Sequence, residues 1–372
     1  MANNQKIINK SDTISRSTLL HEAIPITGSI LSGTYESADA DENVKAYSHG
    51  MFKSIYDYPY LSSSANHILD IACGYSNLSV LSGASNTQNA KKINIYNQMA
   101  QVLAGYDHTG SVFRFDQRGE TVDSGVKMDD VYFINFSRLL VKDEIKKGTF
   151  ELELGVQQGF DHNVGASGGA TFNKRIKVSD ASGSDAFKVN SPAGEYGILY
   201  ATASTHHAAN LIQKNEYMEV GLLYYQAGIA VISGSVFGGH AHGILQGSAS
   251  CELAADISGS GFKAITGSTI DTMADGLRNR IYNIQFNNTT ELNSTIYFCR
   301  VNHNEFNYST NPTYTSGSQI VVKENKNDTS TAYITAVGLY NANDELLAVA
   351  KTSEPLVKTP EDELTIRVRL DY

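Results

Sequence analysis

Hydrophobic and polar positions alternate with a period of two through much of this chain, and with a helical period in few places. The clearest strand is Glu363 to Asp371, where Leu364, Ile366, Val368 and Leu370 fall on one side and Thr365, Arg367, Arg369 and Asp371 on the other. That is the pattern of a half-buried antiparallel strand. Thr331 to Lys351 reads as a hairpin, AYITAVGLY and LLAVAK joined by the turn NANDE. RIYNIQF and STIYFCRV read as two further strands about a turn in NNTTELN, because Asn and Thr carry turn chemistry. Val131 to Leu140 is a strongly β-prone run, and FELELG (150–155) alternates. The apolar stretch Val220 to Gly239 has the length of a membrane span. Tyr224, Tyr225, Gln226 and two serines interrupt it, so it predicts two buried strands joined near Ala227 and Gly228 instead.

The helical period appears best in Asn89 to Leu103. Ile95, Met99, Val102 and Leu103 follow the spacing of one helix face, and Gly105 follows as a stop. Met51 to Tyr60 and Thr269 to Asn279 predict shorter helices. The expected fold is mainly β with a smaller α+β N-terminal part, built of antiparallel sandwich-like or barrel-like sheets with few helices.

Composition divides the chain into four segments. Residues 1–50, polar with short apolar islands, read as an extended N-terminal arm. Residues 51–155 form an α+β segment. Residues 156–265 are a Gly/Ser-rich β module or insertion, and 266–372 a C-terminal antiparallel β region that packs alone or with 51–155 as one domain. No fixed repeat period supports a solenoid.

The charge balance narrows the functional classes. The 372 residues carry 29 Lys and Arg against 39 Asp and Glu, a formal net charge of −10. An acidic chain without a basic block is a poor electrostatic ligand for nucleic acid, and none is expected as a partner. With 41% hydrophobic residues the chain can bury a core, which argues against disorder. The polar N-terminus lacks the apolar run of a secretory signal, and no membrane insertion is expected. Cys73, Cys251 and Cys299 are widely spaced and odd in number, so neither a disulfide framework nor a structural zinc site is expected.

Few residues suggest chemistry. His240 and His242 sit two apart, and three copies about an axis would offer six imidazoles to a metal; the alternative is a pair in the Gly-flanked loop FGGHAHG. His206 and His207 are consecutive and make a poor chelate. His303 beside Glu305 has the types for acid–base work, or belongs to an Asn-rich polar loop. No P-loop, GxSxG or HExxH pattern occurs, and no cofactor is expected. Tyrosine is abundant, 21 residues with no Trp. Its apolar body and polar tip suit interfaces, and Tyr56, Tyr58, Tyr60, Phe306 and Tyr308 are the interface candidates.

The strings RIYNIQFNNTTELNSTIYFCRVNHNEFNYSTNPTY (280–314) and ITAVGLYNANDELLAVAKTSEPLVKTPEDELTIRVRLDY (334–372) resemble virion structural proteins of marine, T4-like contractile-tailed phages. Residues 45–70, 94–105 and 131–148 have the same character, and VGLYNANDELLAVAK (337–351) is similar to a phrase in tail and baseplate-associated proteins. The resemblance implies a non-enzymatic, many-copy part of the virion, assembled in the host cytoplasm, with other phage structural proteins and copies of itself as partners. A baseplate or tail position is the first expectation. A neck or head connector, a decoration protein, or a fibre-type module binding a host-surface glycan are the alternatives.

Overall fold

The computed structural model describes residues 5–31, 43–79, 81–83, 85–120, 125–155, 175–203, 218–237, 269–308, 315–316, 319–320, 325 and 327–372. The described residues are mainly β, and every named ladder whose register is resolved is antiparallel. The chain divides into two compact units, residues 20–290 and residues 1–19 with 291–372. These units do not follow the changes of composition along the chain.

In the 20–290 unit the strands are β2 (Val44–Ala46), β3 (Lys53–Tyr56), β4 (His67–Tyr75), β5 (Asp130–Phe136), β6 (Glu144–Ile145), β7 (Glu151–Gly155), β8 (Arg175–Ser179), β9 (Lys188–Ser191), β10 (Gly194–Ala203), β11 (Met218–Tyr224) and β12 (Ile229–Ser233). The path runs β13-β7-β8-β10-β11-β12-β5-β4-β3-β2, where β13 is Ile281–Val301. β6 adds to β13, β9 to β10, and β1 (Thr13–Thr27) also lies beside β13.

This sheet curls. Phe136 of β5 and Phe286 of β13 have five strands between them along the path, yet their rings meet at 5.1 Å, and Phe150 packs on Phe136 at 5.9 Å. β6 closes the gap: Ile145 pairs with Asn288 of β13, and its N–H donates to the Tyr225 carbonyl at 3.0 Å. Tyr225 lies in the turn between β11 and β12, the two strands expected within the apolar run 220–239. A polar knot locks the closure. Asp180, fully buried, accepts from the N–H groups of Gly148 (2.7 Å) and Phe150 (2.9 Å) and from the Tyr225 hydroxyl (3.2 Å). Burial raises the Asp180 carboxyl above its usual range, while the bonds it accepts pull the other way. Gly197 is obligatory here, because a Cβ would stand 2.0 Å from the Tyr225 hydroxyl.

Two helices cover the sheet. α1 (Asn89–Leu103), with the bounds its periodicity predicts, buries Ile95, Tyr96, Ala100 and Leu103. It lies so close to β4 that a Cβ on Gly74 would meet the Lys92 carbonyl at 2.6 Å. Cys73, next to Gly74 in β4, is fully buried, and desolvation pushes its thiol up to about 12. α2 (Ile270–Arg280) starts at Thr269, whose hydroxyl accepts from the Thr272 N–H at 3.1 Å. Its Asp271 and Asp275 pair with Lys53 of β3, and Asp275 also accepts from Arg278 at 2.7 Å.

Two expectations are corrected. Met51 to Tyr60 is not a helix: Lys53–Tyr56 is β3, because α2 supplies carboxylates for Lys53, and the ladder to β4 buries Ser54 and Ile55. RIYNIQF and STIYFCRV are one strand rather than two. Asn288 is buried, donates to the Leu140 carbonyl at 2.8 Å and accepts from the Glu22 N–H at 3.2 Å. Asn287 is bonded by Thr149 and Lys146. Tertiary bonds therefore occupy the Asn288 side chain and the Asn287 backbone groups that a turn would have used. Within the segment read as an arm, Thr13–Thr27 is strand β1.

The second unit carries β18 (Leu364–Asp371) on the outer part of β13, from Ser294↔Asp371 to Val301↔Leu364. Asn293 and Tyr372 extend the ladder with bonds of 2.8 and 3.0 Å. Val368 is buried, and the Arg367 and Arg369 side is exposed, as the alternation predicts. β14 (Thr315–Ser316) and β15 (Gln319–Ile320) make a small ladder of their own. β16 (Ala332–Tyr340) and β17 (Leu346–Lys358) form a separate two-stranded hairpin whose turn is NANDE. The turn is held by Asn341, whose side-chain oxygen accepts from the N–H groups of Asn343 and Glu345, both at 2.9 Å.

Candidate functional site

The most distinctive surface belongs to the 1–19/291–372 unit. A groove of about 1280 Å³ runs between the β13–β18 face and β16. Its apolar lining includes Tyr297, Cys299, Ile366 and Leu370 on the sheet side and Val337, Leu339 and Tyr340 on the hairpin. The register explains the first group: Cys299 stands opposite Ile366, and Thr295 opposite Leu370, so these side chains share one face.

Lys358 roots the hairpin. It is the last residue of β17 and fully buried. Its ammonium donates to the carbonyls of His303 (3.2 Å) and Thr359 (2.5 Å) and to the Asn307 side-chain oxygen (2.7 Å). These bonds compensate the desolvation of a buried charge. The N-terminal segment is clipped to the same region by Lys6–Glu305 (2.5 Å) and Asp12–Arg300 (2.8 Å).

Beyond its root, the hairpin leaves apolar side chains in solvent. Tyr333, Tyr340, Leu346, Leu347, Val349, Leu356 and Val357 are all exposed, Leu347 by 67%. Gly338 faces Val349 and Tyr340 faces Leu346, which places Tyr340, Leu346 and Val349 on one side of the ribbon. Two strands alone are marginal in water, and such a concentration of apolar surface is unusual on a finished fold.

Phe306 and Tyr308 line this groove, so the second pair of interface candidates falls at the site. Tyr56, Tyr58 and Tyr60 lie elsewhere, in the 20–290 unit. Tyr56 packs against Tyr60 (6.2 Å) and edge-on to His67 (5.5 Å), and Tyr58 is exposed. Around them Lys45 stands over the rings of Tyr47 (4.9 Å) and Tyr60 (5.9 Å), and His67 contacts Asp70 at 2.8 Å. Asp70, not a histidine, is the shared member of the Ser54–Asp70–His67 cluster, which is not the order of a nucleophilic triad. His240 and His242, like His206, His207 and Cys251, lie outside the described residues.

Glu305 and His303 do not form an acid–base couple. Glu305 bonds Lys6 and the Asn302 N–H, which hold its carboxyl below the usual range, while His303 faces Glu363 at 3.4 Å. Among the described residues, no group of three or more His, Cys, Asp or Glu is arranged to hold a metal ion. No helix among them is long and apolar enough to cross a membrane.

Sequence reasoning named Phe306 and Tyr308 but did not anticipate the groove they line. Its walls come from residues 5–13, 297–308, 331–347 and 366–370, and no local pattern shows that these meet. The signal available in the sequence was the uncharged run AYITAVGLY, apolar on both faces of a strand. No protein-family model, no curated protein and no solved structure matches the chain.

Proposed function

We propose that this chain is a non-enzymatic structural subunit of a tailed-phage virion, a baseplate or tail component that assembles through protein–protein contacts. The observation that supports it most is the β16–β17 hairpin, which leaves seven large apolar side chains exposed beside an apolar groove. Assembly subunits bury such surface only in the particle, where many weak contacts add through high effective concentration. The resemblance of residues 280–314 and 334–372 to phage virion proteins supplies the particle, and the net charge of −10 keeps free subunits apart before assembly. The test is cryo-electron microscopy with mass spectrometry of purified particles. Stoichiometric chain with density in the tail or baseplate is the expected result. Its absence from particles, or turnover of a polysaccharide by the purified chain, overturns the reading.

A second reading, a fibre-type module for a host-surface glycan, draws on the Lys45, Tyr47, Tyr56, Tyr60 and His67 cluster, where half-exposed rings adjoin charged groups. Glycan-array binding lost in Tyr56→Ala and Tyr60→Ala would favour it over the first.

A further inference from the structure

We infer that β16 is a self-association edge, pairing with β16 of a second copy of this chain. The inference rests on the assembly reading and names the partner for one of its surfaces. Among the described residues β16 pairs with β17 alone, so its other edge offers a row of backbone donors and acceptors. Natural proteins blunt such edges with charge, proline or bulges. β17 shows these devices: Lys351, Glu354 and Pro355 lie in it, and five steps of β17, from Lys351 to Leu356, span what two steps of β16 span between Ala336 and Ile334. β16, AYITAVGLY, has neither charge nor proline over nine residues.

The charge pattern selects a like partner. An antiparallel strand paired with its own copy sets identical residues near one another around the two-fold axis. For β18 that arrangement would bring Arg367 and Arg369 toward their counterparts, and like charges opposite one another are unfavourable. For β16 it brings together Ile334, Ala336, Gly338 and their neighbours, with no repulsion. The pairing strand also carries exposed apolar surface. On β16 itself Tyr333 and Tyr340 stand 63% and 47% exposed, and the apolar side chains of β17 lie beside them on the same ribbon. An isologous contact uses one patch twice, so the chain needs no second complementary surface.

The experiment is analytical ultracentrifugation of the full chain with two kinds of variant. Wild type is expected to show a concentration-dependent dimer. Tyr333→Lys combined with Thr335→Lys, both exposed in the hairpin, should weaken it at least about tenfold. Leu61→Lys, exposed in the other unit, should leave it unchanged. Circular dichroism confirms that each variant is folded. Independently, single cysteines at Ile334, Ala336 and Gly338 in a Cys299→Ser background should form an intermolecular disulfide that peaks at one position, where the two-fold brings Cα atoms within about 5.5 Å. A wild type that stays monomeric at about 100 µM, a dimer that survives the double lysine variant, or cross-linking equal at all three positions overturns the inference. A monomer that is still found in the particle overturns this inference alone and leaves the assembly reading standing.

Discussion

In the 20–290 unit, Phe136, Phe150 and Phe286 meet ring to ring and none is more than 3% exposed; in the 1–19/291–372 unit, Tyr333, Leu347 and Val349 stand 63%, 67% and 53% exposed. Both regions are antiparallel β and similarly apolar in their strands. They differ in closure. The larger unit curls its sheet on itself, so side chains from distant strands share one interior, in which the Asp180 and Lys53 clusters pair buried charges. The smaller unit has a ladder and a ribbon with few buried residues, among them Val301, Leu339, Val368 and Lys358. Apolar patterning alone therefore does not distinguish a core strand from a docking strand; what distinguishes them is whether the chain itself supplies the opposite face.

That contrast can be broken by substitution. The largest effect is expected for Phe286→Ala, which should cost about 3–5 kcal/mol because its neighbours Phe136 and Phe150 are held by the sheet and cannot collapse into the void. A denaturant midpoint near the wild-type value would show that the closed unit is not packed as described. Val368→Asp comes next, at about 3 kcal/mol, because it buries an unpaired charge in the smaller unit's own ladder.

Asp130 sharpens the comparison by pH. Burial, with the Asp129 carboxylate beside it, holds its carboxyl up at about 6 despite the bond from Ser79 at 2.7 Å. Between about pH 4 and 6 the folded chain keeps a proton that the unfolded chain has lost. Stability conferred by this group therefore falls as pH rises through that window and levels off above it. Asp130→Asn should gain on the order of 2 kcal/mol at pH 7 and nothing near pH 3.5, as read from melts across the range. A difference from wild type that does not change with pH would contradict this assignment.

Lys358→Met should cost about 1–2 kcal/mol by leaving two carbonyls and the Asn307 oxygen without their donor. Amide exchange should accelerate in β16 and β17 and not in β4 or β5. The smallest effect is expected for Leu347→Ser, below about 0.5 kcal/mol in the isolated chain. A larger loss would mean that the hairpin already has a partner surface.

The sequence showed the elements whose partners are local. α1 from Asn89 to Leu103, the β11–β12 hairpin, the NANDE turn and the two faces of β18 all follow from spacing within a few residues. It misled where remote groups decide. Met51 to Tyr60 reads as a helix until α2 and Asp70 provide partners for Lys53 and Ser54, and the Asn and Thr residues of β13 read as a turn until β6 and β1 occupy their bonds. The groove was the least legible feature, because four separate stretches build it.

Cys73 has a practical consequence. A thiol raised to about 12 and fully buried in β4 carries almost no thiolate at neutral pH and is out of reach of alkylating reagents. Its modification by iodoacetamide, followed by peptide mass spectrometry, therefore times the opening of the core around β4 and gives this chain a built-in clock for that breathing motion.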